Sequence, residues 1–304
     1  MKALRVLTRM LPLLVVVPLL ALVAWSGARA DDAHKLLFTS KRTGNQEIFL
    51  ANADGTEAKN LTNSPADDTG GSWSPDGKRI VFASDRTGGG DIYVMDADGG
   101  NVKQLTSDPA KERAPAWSPD GKRIVFVRHV TEQNPEVFLM NTDGANQENL
   151  TNNEAYDADP CWSPDSKKLL FVRSGQQGYQ LFTLEPGGGE PQLIPGVEPL
   201  PAWVFPAWSP DGKKIAYTGG ADGALEIFTC DANGDNRKQL TTFKGRNTFA
   251  AWSPDGKKLA FQHHEGVDGS GALYVMDAAD GNNQTQVCPL EAPLEDGRPA
   301  WKPN

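Results

Sequence analysis

Beyond residue 30 the chain is a succession of short apolar runs cut by polar, glycine-rich turns. "KRIVFAS" (78–84) and "DIYVMDA" (91–97) are flanked by "GSWS" (71–74) and "NVKQLT" (101–106). Each is rich in β-branched or aromatic residues and bounded by Gly, Asp or Pro, so the four read as consecutive strands. Ile80, Val81 and Phe82 are apolar at successive positions, which predicts strands covered on both faces. No segment after residue 30 has helical periodicity.

The pattern recurs. Trp73, Trp117, Trp162, Trp208, Trp252 and Trp301 are spaced 44, 45, 46, 44 and 49 residues apart. Four strands per repeat at that period predict a β-propeller. The first unit, residues 35–62, lacks an opening "WSPDG", and "RPAWKPN" (298–304) is an opening strand with nothing after it. Joined, they complete one blade, so the expected fold is all-β. It is a six-bladed propeller of four-stranded blades, closed by pairing the C-terminal strand with the N-terminal blade. The expected domains are a signal peptide at 1–30 and the propeller at 31–304.

The tryptophan of each repeat is expected to wedge between blades. In the turn that follows, Pro75 presets φ, Asp76 tolerates the second corner and Gly77 takes the left-handed position. Ser166 replaces that glycine in the fourth repeat, at a strain of about 1–2 kcal/mol. Its turn is therefore expected to be weaker or differently shaped.

Residues 1–30 change the cellular setting. Lys2, Arg5 and Arg9 precede an apolar run from Met10 to Trp25 and a small-residue site at Ala28–Ala30. This is the pattern of a secretory signal cleaved after Ala30, with a retained N-terminal anchor as the alternative. Loss of its four basic residues takes the formal charge from −9 to −13. Such a chain repels nucleic acid and anionic lipid. No stable membrane insertion after cleavage and a monomer are expected. Cys161, Cys230 and Cys288 are too few and scattered for a disulfide framework.

"WSPDGKRIVFASDRTGGGDIYVMDADG" (73–99) resembles the repeat of the TolB-type β-propeller family, and the resemblance runs over residues 34–304. It implies a periplasmic or secreted binding scaffold. The implied partner is a protein, a peptidoglycan-associated lipoprotein of the Tol–Pal envelope system. Full family members carry an α/β domain before the propeller; here the propeller is expected to follow the leader directly.

Propeller topology sorts the loops. The uniform "PDGK" and "ADG" turns fall on one face, and the irregular loops fall on the other, where binding usually lives. Partner-binding candidates there are Asp67, Asp68, Arg113, Tyr156, Asp157, Asp159, Trp203, Phe205, Arg246 and Arg298. Trp203 and Phe205 stand beside the repeat tryptophan and are expected on one side, towards the channel mouth. No GxSxG elbow or serine–histidine–acid arrangement is present, so no catalytic residue is expected. The alternative is a divalent-metal-dependent lyase or hydrolase acting in the channel on an anionic carbohydrate or small ester. Asp157, Asp159 and Asp296, with Glu295 nearby, would then hold Ca²⁺ or a similar ion. Otherwise no cofactor is expected. His129, His263 and His264 are expected to be surface residues.

Overall fold

Serine and aspartate close the hairpin turns as the sequence requires. Ser74 Oγ donates to Asp76 Oδ1 (2.6 Å), which also accepts the Lys78 N–H (3.1 Å). Gly77, at φ 63°, returns its N–H to the Ser74 carbonyl (2.9 Å). The same closures recur at Ser118, Ser163, Ser209 and Ser253. Ser166 keeps this shape, with φ 60° and its N–H 2.9 Å from the Ser163 carbonyl. The expected change of turn shape is thus corrected. Its Oγ accepts the Asp120 N–H of the preceding unit at 3.0 Å, a bond glycine has no atom to make.

The computed structural model describes residues 34–303, apart from 177, 198–199, 201–203, 222–223, 243–244, 266–270 and 288–295. The described chain is an all-β propeller without a helix. Four antiparallel sheets have four strands each, and a fifth has eight. In the eight-stranded sheet, strands Ala224–Asp231 and Arg246–Trp252 meet at one parallel pair, Leu225 with Arg246. Strand Gly297–Trp301 pairs antiparallel with Lys35–Ser40, placing Trp301 against Leu36, as the split repeat predicts. The outermost strands are shorter than expected: Lys103–Gln104 stands where residues 101–106 were read. The innermost start earlier, at Asp68 rather than residue 71.

The core is distributed between units. Trp117 packs with Val81, Ile92, Phe126 and Phe138, which come from two consecutive units. Trp162 does so with Val125, Leu139 and Phe171. Trp301 joins Leu36 and Phe49 to Ala260 and Leu273, packing the last full unit against the first. The wedge role holds, and some indoles add a bond: Trp162 Nε1 donates to the Ala116 carbonyl (3.2 Å) and Trp301 Nε1 to that of Ala251 (3.0 Å). Glycines in the outer turns make a second interlock. Gly144, at φ 92°, lies so close to the preceding unit that a Cβ there would stand 2.3 Å from the Leu105 carbonyl oxygen.

Candidate functional site

Five residues before four of the six repeat tryptophans stands an acid: Asp68, Glu112, Asp157 and Asp296. All four are buried, and an arginine of the neighbouring strand or its loop meets each. Asp157 receives two bonds from Arg173 (2.7 and 2.8 Å) and one from Asn153 (2.7 Å). Arg86 holds both oxygens of Asp68 at 3.0 Å. Arg128 binds Glu112 at 2.6 Å, and Arg42 binds Asp296 at 2.8 Å. These arginines also lie over core rings, Arg173 at 5.2 Å from the Phe182 centroid. Asp68 and Asp157 are therefore scaffold, a correction to their expected exposure. The same pairing spends Asp157 and one oxygen of Asp296, whose Oδ1 stays buried without a partner, so of the three proposed metal ligands only Asp159 remains without an arginine in contact. Among the described residues no group of three His, Cys, Asp or Glu gathers around a possible ion.

In the Trp252 unit a neutral pair takes this position. Asn247 Oδ1 lies 2.9 Å from His263 Nδ1, and the ring meets Tyr274 edge-on at 5.6 Å. His263 is buried, which corrects its expected surface position. His129 is half-buried, with Nδ1 3.4 Å from the Glu132 carbonyl. Burial holds His263 below its ordinary 6.5 and outweighs the opposing pull of Glu265. The folded chain thus resists a proton that the unfolded chain accepts, so this contribution to stability is present above about pH 6.5 and lost as the pH falls. The melting temperature of His263→Gln should decline less than the parent's between about pH 7 and about pH 5. Equal slopes in paired thermal melts would remove His263 from the account.

Three residues before each tryptophan lies a different set: Gly70, Ala114, Asp159, Phe205, Phe249 and Arg298. Every one has a positive φ, between 42° and 66°. Where the innermost strand is long enough to show it, the cause is a bulge. Arg113 pairs with Val127 and Ala116 with Val125, so Ala114 and Pro115 together oppose Phe126. Equivalent bulges oppose Phe82, Phe171, Phe261 and Phe38. A bulge re-aims a side chain, and these six converge on one central cavity of about 160 Å³. Left-handed backbone is strained for a bulky residue such as Phe205 or Phe249, and strain of this kind collects at functional sites.

The cavity is chemically uneven. Phe205 and Phe249 stack with centroids 3.7 Å apart, and the Arg298 guanidinium lies 4.9 Å from the Phe249 centroid. Asp159 is half-buried; burial pushes its carboxyl up, against the fields of Arg298 and Arg113. Arg298 is pushed down, first by burial, with Asp159 opposing. Nearby, Arg113 Nη2 donates to the Tyr156 hydroxyl (2.6 Å), while its Nε is buried without a partner. Tyr156 in turn meets Tyr179 edge-on at 5.6 Å.

Asp67 is exposed on the same face and accepts the Gln46 N–H at 2.8 Å. Arg246 is half-buried at the start of its strand. Trp203, Glu295 and Cys288 lie outside the described residues. The structure thus brings Asp159, Phe205 and Arg298 to one cavity, with Arg113 and Tyr156 beside Asp159. Local sequence does not single out Phe249; its signal is the fixed offset of three residues before Trp252.

A larger cavity, about 600 Å³, lies on the regular face between the Ser163–Asp165 and Ser209–Gly212 turns. Its acids are already used: Asp165 accepts from Ser163 and Lys167, and Asp211 from Ser209 and Lys213. The smaller cavity is where polar groups are left over, and it is the candidate site.

The TolB beta propeller domain family matches residues 23–129 and 201–304, and the tricorn protease N-terminal beta propeller domain matches residues 87–198. No curated protein matches the sequence. Among solved structures, TolB of Acinetobacter baumannii is 26% identical with a TM-score of 0.76, over 92% of this chain and 69% of that one. A TolB-type protein of Agrobacterium tumefaciens is 20% identical with a TM-score of 0.68, over 84% and 89%. A chain of a nidogen/laminin complex is 13% identical with a TM-score of 0.73, over 88% and 98%, a likeness of fold.

Proposed function

The chain belongs to the TolB beta propeller domain family, and we propose that it is a non-enzymatic scaffold that docks a protein partner on its irregular face. The eight-stranded sheet counts as two blades bridged at Leu225–Arg246, which brings the propeller to six. The observation that carries the reading is the contrast between the faces. The regular turns close their aspartates on their own serines and backbone, whereas the side chains of Asp159 and Arg298 make no hydrogen bond to any described residue. Polar groups left half-buried and unspent favour a partner that supplies the missing bonds.

The reading extends to place and partner: a periplasmic or secreted protein, with a peptidoglycan-associated lipoprotein as the partner that family membership suggests. The test compares three baits in capture from envelope extract: the parent from Asp31 onward, Arg113→Glu on the irregular face, and Lys167→Glu with Lys213→Glu on the regular face. The parent and the regular-face variant should enrich the same lipoprotein, and Arg113→Glu should lose at least about tenfold. Undiminished capture by Arg113→Glu, or loss only in the regular-face variant, would overturn the face assignment.

A further inference from the structure

The central cavity offers three unlike surfaces at close quarters. The Arg298 guanidinium lies over Phe249 at 4.9 Å from the ring centroid, and one of its nitrogens lies 3.7 Å from where a Cβ on Gly70 would stand. Neither this guanidinium nor the Asp159 carboxyl takes a side-chain hydrogen bond among the described residues, and the two act on each other only through their fields. The Phe205–Phe249 stack supplies an apolar wall. A simple anion would satisfy the guanidinium and leave the carboxylate unmet; a metal ion would do the reverse. A zwitterion satisfies both, because desolvated charges are best met by opposite charge in bonding geometry. Size narrows the choice further. The cavity holds about 160 Å³, well below the roughly 300–1,000 Å³ of drug-sized sites, and this is room for one residue-sized molecule.

The geometry points to a free α-amino acid as the cavity's ligand: its carboxylate on Arg298, its ammonium on Asp159, and an apolar side chain against Phe205 and Phe249. Beside Asp159, Arg113, with Nη2 on the Tyr156 hydroxyl, keeps a buried and unpartnered Nε, and its field reaches both Asp159 and Arg298. The stacked rings favour an aromatic or branched aliphatic side chain over a charged one. The assignment rests on reading the irregular face as the binding face, and it adds a small-molecule site to that face.

The experiment titrates the mature protein with each of the twenty free amino acids by isothermal calorimetry and ligand-observed NMR. The tightest is then compared with its N-acetyl and carboxamide derivatives and with a tripeptide ending in the same residue. Saturable binding is expected at about 1 mM or tighter, weakened about tenfold by either blocking group. In Asp159→Asn the penalty for N-acetylation should vanish, and in Arg298→Gln the penalty for amidation. Unchanged near-ultraviolet circular dichroism would verify the fold of both variants. No saturable binding by any amino acid overturns the proposal, as does binding indifferent to both blocking groups or binding of the tripeptide alone. If lipoprotein capture survives while amino-acid binding fails, the ligand is refuted and the face assignment stands; if capture fails as well, both fall.

Discussion

Arg173→Ala should unfold well below the parent. Asp157 has no exposure, and two of its three side-chain bonds come from Arg173. Truncation leaves a buried carboxylate held by Asn153 alone. Breaking such a pair costs about 3 kcal/mol or more, which in a domain of this size corresponds to about 6–12 °C in melting temperature. Adding Asp157→Asn to the same chain should recover much of the loss, because the stranded charge goes with it. A single variant melting within about 2 °C of the parent would show that water replaces the arginine and that the pair is not structural.

Gly144→Ala should be comparably damaging, although it adds one methyl group. Two terms combine. The backbone at φ 92° disfavours any L side chain, by about 1–2 kcal/mol. The new Cβ would also stand 2.3 Å from the Leu105 carbonyl oxygen, so two units must separate, at about 1–3 kcal/mol. Gly188→Ala is the control. Its φ is similar at 85°, but nothing lies within 4 Å of the site. Urea unfolding should therefore place Gly144→Ala below Gly188→Ala by the overlap term alone. Equal midpoints would mean that the interlock yields freely.

The repeat was legible because its residues carry geometry by themselves. Pro75, Asp76 and Gly77 define a turn wherever they occur together, and Trp73 marks an interface through its size. The site was legible only to the level of a segment. Strict alternation puts Asp157 and Asp159 on one side of a strand, and both were read as channel groups. The bulge at Asp159–Pro160 breaks the alternation, so Asp157 turns back to Arg173 while Asp159 faces the cavity. The acid–arginine pairs were invisible for another reason. Arg42 and Asp296 are 254 residues apart and meet only because the last strand joins the first sheet. His263 looked like a surface residue because nothing nearby in sequence shows that Asn247 replaces the acid across from it.

The left-handed positions divide the labour of the chain. The tryptophan wedges, the serine–aspartate turns and the buried ion pairs occupy other offsets wherever they occur, so folding is written in one set of letters and the proposed recognition in another. Gly70 and Ala114 are blank letters of the second set; Asp159, Phe205, Phe249 and Arg298 are filled ones. Pseudo-symmetry makes the places equivalent. A side chain moved from one offset to the next is carried around the axis by one blade, with the same depth and the same backbone. On the proposed reading, a different ligand would need only a few of these letters permuted, leaving untouched the text that makes the chain fold.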